Sequence, residues 1–217
     1  MNLDVKTVQT LKAFSAINPS LVFKPGNVLK TISPSKTVMA KATVPDTFDR
    51  EFAIYDLMRF IGAYSMFEEA EVSFGEKSVV ISSGKEKIDY RFADPAVVVS
   101  PGDKELVASD PTVEFELSND MIQRTVKALG MIGAPEVSIT GEAGTVYLEA
   151  CDSRNTSGST YRIELGNTNK TFRLIMTADK LKLLPCDYKV AVTDRFAHFK
   201  GENIEYWIVL EANSTVD

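Results

Sequence analysis

Histidine, cysteine and net positive charge are all scarce in this chain, and each scarcity excludes something. The one histidine, His198, sits in a β-like run from Phe196 to Lys200. A structural or solvent-facing role is expected there, and no metal site can be assembled around it. The two cysteines, Cys151 and Cys186, lack metal-type spacing and are expected to be free thiols in a reducing cytoplasm. Carboxylates are plentiful, but none forms an acid–base or metal constellation with His198 or the cysteines, so no catalytic residue, metal or cofactor is expected. A Gly-rich phosphate loop of the G-x-x-x-x-G-K-S/T type is missing, so ATP chemistry would belong to another protein. No apolar run approaches the ~20 residues that span a bilayer, and the N-terminus lacks a basic segment followed by an apolar one. Neither a membrane partner nor a signal peptide is expected. The net charge of -6 argues against a conventional exposed basic surface, though a local one remains possible.

What is present is an internal echo. The 217 residues, 44% of them hydrophobic, suit two small domains of an ordinary globular protein. A helix-like stretch opens each half, Asp4 to Asn18 and Ser118 to Gly133. Each leads into β-patterned runs and then a strand-into-helix step: Phe52-Ala53-Ile54-Tyr55-Asp56-Leu57 in the first half, Leu174-Ile175-Met176-Thr177-Ala178-Asp179 in the second.

In the first helix Leu3, Val8, Leu11, Phe14 and Ile17 share one side of the wheel, and Asp4 suits the dipole at its start. Strands are expected at Leu21–Lys24, Asn27–Ile32 and Lys36–Thr43, then a helix from about Ile54 to Phe67 burying Leu57, Phe60, Ile61 and Tyr64. Three short strands follow, near Glu71–Phe74, Ser78–Ser82 and Lys87–Phe92. Residues 94–111 hold three prolines and a glycine around Val97-Val98-Val99, and read as a connector between domains 1–93 and 112–217. Ser118 is the expected cap of a helix whose apolar stripe is Ile122, Val126, Leu129 and Ile132. Strands near Glu136–Thr140, Thr145–Ala150, Ser159–Leu165 and Lys170–Met176 come next. Thr177 is the expected cap of a fourth, short helix ending before Pro185. The chain closes with strands at Lys189–Val192, Phe196–Lys200 and Glu205–Ala212.

The four expected helices carry Lys6, Lys12, Arg59, Arg124, Lys127, Lys180 and Lys182 against Asp4, Asp56, Asp120 and Asp179. That surplus of three positive charges leaves the rest of the chain with nine in excess on the negative side. The four aspartates fall at or near helix starts, where caps and dipoles occupy them. Basic helix faces on an acidic protein built from two similar units suit a pseudo-symmetric ring that encircles a polyanion. The plainer alternative is that these cations only solvate exposed helix faces.

Several segments together resemble the sliding clamp of T-even-type tailed bacteriophages. They are Leu11-Lys12 and Phe14 leading to Ile17-Asn18, then Ala53-Ile54-Tyr55-Asp56-Leu57 with Phe60 and Gly62, then Ala93-Asp94-Pro95 with Val98-Val99. The last runs from Phe199-Lys200-Gly201-Glu202 through Tyr206 to Leu210-Glu211-Ala212-Asn213-Ser214-Thr215. The resemblance spans essentially the whole chain. It implies an α+β DNA-clamp fold with two similar domains per subunit, helices lining a homotrimeric ring and antiparallel sheets outside. It implies no enzyme but a processivity factor that encircles double-stranded DNA and tethers the replicative DNA polymerase. An ATP-driven clamp loader is an implied partner, late-transcription factors are further ones, and the cytoplasm of the infected bacterial host is the implied location.

On that resemblance Lys6, Lys12, Arg59, Arg124, Lys127, Lys180 and Lys182 face DNA. Tyr90, Tyr161 and Ile163 lie at the subunit interface, on the strands Lys87–Phe92 and Ser159–Leu165. Val98, Val99, Leu106, Leu210 and Ala212 help form a pocket for partner peptides. Two other classes compete. A ring-forming phage tail protein would share β-rich architecture without a reason for basic helix faces. A single-strand-binding module would display aromatics beside cations, as Tyr90-Arg91-Phe92 and Tyr161-Arg162 superficially do.

Overall fold

The computed structural model describes residues 1–102, 106–155 and 157–217. The chain divides into two compact units, Met1–Lys104 and Glu105–Asp217, with the division inside the expected connector.

The first unit opens with α1 (Val5–Ser15), capped by Asp4, whose carboxylate accepts the Lys6 N–H at 2.7 Å. Then come β1 (Leu21–Phe23), β2 (Gly26–Ile32), β3 (Val38–Phe48) and β4 (Phe52–Ile54). A second helix, α2 (Leu57–Tyr64), leads to β5 (Glu71–Phe74), β6 (Ser78–Ser83) and β7 (Glu86–Arg91). β1 pairs with β4, β2 with β3, and β5-β6-β7 form a three-stranded antiparallel sheet. Phe23 and Phe52 face one another in register and stack at 4.5 Å. Phe48, Phe74 and Phe92 close around that pair, so the strands are held by one aromatic cluster.

Among the boundaries that differ from the sequence reading, two have a local cause. β3 continues past Pro45, because the register slips opposite it, between Gly26 and Val28, and the missing N–H interrupts no regular ladder. α2 begins at Leu57 rather than Ile54. Ile54 belongs to β4, and Asp56 caps the helix through the Arg59 N–H at 2.9 Å.

The second unit starts with β8 (Val113–Leu117) and α3 (Asn119–Ile132), followed by β9 (Glu136–Glu142), β10 (Thr145–Cys151), β11 (Tyr161–Asn167) and β12 (Phe172–Thr177). β13 (Tyr188–Val192), β14 (Phe196–Lys200), β15 (Ile204–Val209) and β16 (Thr215–Val216) complete it. One antiparallel sheet has the order β11-β10-β9-β12-β16, and a second ladder runs β15-β14-β13-β8. Ser118 caps α3, as its sequence predicts, and Gly133 ends it at φ 66°, a left-handed position that favours glycine. The β9–β10 hairpin turns through Ala143 and Gly144, both at positive φ, which matches the twist of the strands it joins.

The echo is visible in element order. Among the described residues each unit has a helix, four strands, a helical segment and three strands, with a 3-10 turn, Pro95–Val97, added after them in the first and β8 before and β16 after in the second. The fourth expected helix is a correction. In its place stands a single 3-10 turn, Ala178–Lys180, to which Thr177 gives no side-chain cap. The following segment is instead fixed by two buried tyrosines: the Tyr188 hydroxyl donates to Leu184 O at 2.6 Å, and Leu184 N–H donates to the Tyr206 hydroxyl at 3.1 Å. Burial raises both phenol pKa values well above their usual range.

Candidate nucleic-acid interface and subunit edges

The helices present their cations to solvent because their opposite faces are buried: α2 buries Leu57, Phe60 and Ile61 as expected, while in α1 and α3 the buried face only partly coincides with the stripe read from hydropathy. α1 buries Thr7, Thr10, Leu11 and Phe14, while Val8 and Ile17 are only half-buried. Thr10 enters the core because its hydroxyl donates to Lys6 O at 2.9 Å. α3 buries Ile122, Thr125, Ala128 and Leu129. Val126, expected in the stripe, is 42% exposed, and Thr125 takes the inner position by donating to Met121 O at 2.8 Å.

Lys6 and Lys12 are exposed on α1, and Lys12 lies in the last turn, where the dipole favours a cation. Arg59 on α2 is 83% exposed, with its Nε 3.1 Å from Asp56 Oδ2. Arg124 on α3 is paired with Asp120 at 2.9 Å, and Lys127 is exposed one turn away. Lys182 is exposed beyond the 3-10 turn. Lys180 departs from the expected set: its ammonium meets Glu211 at 2.5 Å and Val209 O at 3.2 Å, and its side chain is only 12% exposed. Its charge is neutralised within the second unit, which sets it apart from the exposed cations. The charge count also overlooks exposed apolar side chains on the same helices, Met58 and Met131.

Each unit ends a sheet in a strand with one unpaired side among the described residues, β7 in the first and β11 in the second. These are the strands anticipated as subunit edges. Tyr90 on β7 turns inward, its hydroxyl donating to Asp56 O at 3.0 Å and its ring edge-on to Phe60. Burial raises its phenol pKa. Tyr161 and Ile163 on β11 are half-buried, opposite Ala150 and Leu148. Arg162 between them spans Glu142 and Glu149, each at 3.3 Å, and lies 4.6 Å from the Tyr147 ring centroid. The exposed aromatic-plus-cation pattern of a single-strand binder is therefore absent from Tyr90 and Tyr161.

The residues named for a peptide pocket divide between the units. In the first, Val98 is buried and Val99 exposed. In the second, Leu210 is buried, while Leu106 and Ala212 are exposed. The Leu106 carbonyl accepts the Trp207 indole N–H at 3.0 Å. Trp207 in turn stacks on His198 at 4.7 Å, and His198 Nε2 lies 2.8 Å from Glu205. His198 is thus a packed, partnered residue of the second unit. Burial pushes the Cys186 thiol pKa up, and Cys151 is buried, so neither cysteine has the environment of an activated nucleophile.

Two family models match in tandem. Residues 4–100 match the DNA polymerase processivity factor, and residues 114–212 match the gp45 sliding clamp, C terminal. The sliding clamp of Vibrio phage KVP40 is 30% identical, over 98% of this chain and all of its own length. The chain belongs to the sliding-clamp family. The sliding clamp of Enterobacteria phage T4 is 28% identical with full coverage of both chains. The structure of A. fulgidus PCNA, solved with the C-terminal region of FEN-1 bound, superposes with a TM-score of 0.69 at 13% identity, covering 96% of each chain. That likeness shows the clamp fold, α+β with two similar domains. The tail-protein alternative is not favoured, because both halves of this clamp match replication proteins.

Proposed function

We propose that three copies of this chain close into a ring around duplex DNA, and that the ring tethers the replicative DNA polymerase for processive synthesis. The observation that carries the ring is that β7 and β11, 6 and 7 residues long, are the longer terminal strands of their sheets, against 4 residues in β5 and 2 in β16. An unpaired edge is a liability in a monomer, and a neighbour's strand removes it. β7 of one subunit meets β11 of the next, with Tyr161 and Ile163 beside the junction and Tyr90 steadying β7 from within.

Lys6, Lys12, Arg59, Arg124, Lys127 and Lys182 face the duplex. Contacts from these cations to phosphates are sequence-independent and salt-sensitive, so they tolerate the polyanion without fixing a register. Retention is topological: a closed ring leaves only by opening. An ATP-driven loader supplies that opening, in the cytoplasm of the infected host. Residues 94–111 act as the connector. Partner peptides from the polymerase, the loader and late-transcription factors use Val98 and Val99 of the first unit, and Leu106, Leu210 and Ala212 of the second.

Native mass across a concentration series tests the assembly. A species of about 72 kDa, three times the 23.9 kDa chain, that dissociates on dilution is expected. A strict monomer at high concentration overturns the ring.

A further inference from the structure

The two arginines among the proposed DNA-facing cations differ from the lysines in one respect. Each is held by an aspartate one turn toward the start of its own helix. Asp56 uses Oδ1 to cap α2 through the Arg59 N–H at 2.9 Å, and Oδ2 to hold the Arg59 guanidinium at 3.1 Å. Asp120, in the first turn of α3, holds Arg124 at 2.9 Å. Lys6, Lys12, Lys127 and Lys182 make no ion pair among the described residues. The pattern occurs once in each unit, at different spacing, i,i+3 in one and i,i+4 in the other.

We propose that Asp56 and Asp120 attenuate the grip of the helix faces on DNA by keeping Arg59 and Arg124 neutralised. The inference rests on the reading that these faces meet duplex DNA. A carboxylate at about 3 Å lies far inside the Debye length of roughly 8 Å at physiological salt, so an approaching phosphate meets a near-neutral pair. To bind the guanidinium the phosphate must displace the carboxylate, and the exchange of one anion for another yields little. A lysine without such a partner offers its full charge. A sliding ring needs this balance, because phosphate bonds add up along the duplex and each one strengthened must be broken at the next step. Caps and dipoles account for a carboxylate at each helix start but not for its bond to the guanidinium: Asp56 caps α2 with one oxygen and turns the other to Arg59, and α3 has Ser118 as its cap while Asp120 holds Arg124.

The test uses the purified full chain and a short fluorescein-labelled duplex, read by anisotropy across roughly 50 to 200 mM salt. The D56N/D120N double variant keeps an acceptor at the α2 cap and removes both carboxylate charges. It is expected to bind tighter, by on the order of tenfold at the low-salt end for each arginine freed to bind a phosphate, with log K falling more steeply against log salt by about 0.9 per phosphate bound. Circular dichroism checks that the fold is kept. Two comparison variants separate the DNA-facing role of the helices from the attenuating role of the aspartates. K12Q/K127Q is expected to weaken binding more than R59Q/R124Q does, because the lysines are the unpaired charges. If K12Q/K127Q leaves affinity unchanged, the DNA-facing reading itself fails and this inference falls with it. If K12Q/K127Q weakens binding but folded D56N/D120N binds no tighter and keeps the parent salt slope, the faces stand and the attenuating role is overturned. Weaker binding by D56N/D120N also overturns it, and makes the aspartates orienting groups for the arginines instead.

Discussion

The Tyr90 hydroxyl donates to the main-chain oxygen of Asp56, so the edge strand β7 is tied to the first residue of the α2 cap. Strand and helix start are positioned as one piece. Y90F keeps the ring against Phe60 and deletes only this bond. It is expected to lower stability by about 1 kcal/mol. Urea denaturation of the variant beside the parent chain measures this, and an unchanged midpoint would show that the bond contributes nothing.

The cations separate into a solvent-facing group and one structural member. R124E/K127E is expected to stay folded and to lose stimulation of processive synthesis, since it reverses two exposed charges on α3. K180A is expected to do the opposite. It leaves Glu211 half-buried without its partner, at a cost of roughly 1–3 kcal/mol, and leaves duplex binding near the parent level. Thermal melts and primer-extension lengths for both variants give the comparison.

Gly141 on β9 has no room for a side chain. An added Cβ would lie 2.5 Å from Phe172 Cε1 and 2.6 Å from Lys170 O. The ring can shift, but the main-chain oxygen belongs to the approach of β12. G141A is expected to destabilise the second unit by roughly 1–3 kcal/mol, the usual range for overpacking. Hydrogen exchange on β9 and β12 would localise the loss.

The buried Tyr188 and Tyr206 phenols make stability fall in alkali. Their pKa values are raised in the folded chain, chiefly by burial. Below the ordinary tyrosine pKa of about 10 both states keep their protons and nothing is lost. Above it the unfolded chain ionises while the native one resists, so stability drops by roughly 1.4 kcal/mol per pH unit for each phenol. Denaturation midpoints measured from neutral pH to beyond pH ~10 should show this decline, and Y206F should make it shallower.

The helices and strands that repeat across the two halves were legible because amphipathic spacing and cap residues act locally: Asp4 and Ser118 announce α1 and α3 on their own. The buried faces were less so. Hydropathy ranks Val126 above Thr125, but a helical threonine satisfies its hydroxyl on the preceding turn and packs inward, leaving the valine outside. Lys180 looked like its neighbours because its partner Glu211 is 31 residues away in sequence. The Asp56–Arg59 and Asp120–Arg124 spacings were visible, yet spacing alone does not say which carboxylate oxygen turns to the backbone and which to the guanidinium. The reduced fourth helix had a readable cause in Pro185, but not the tyrosine clamps that replace it.

Trp207 is the one tryptophan of the chain, and it is wedged between the His198 ring and the Leu106 carbonyl. Its emission is therefore a private optical channel of the second unit. A change there registers the loosening of Leu106 or of the β14–β15 pair.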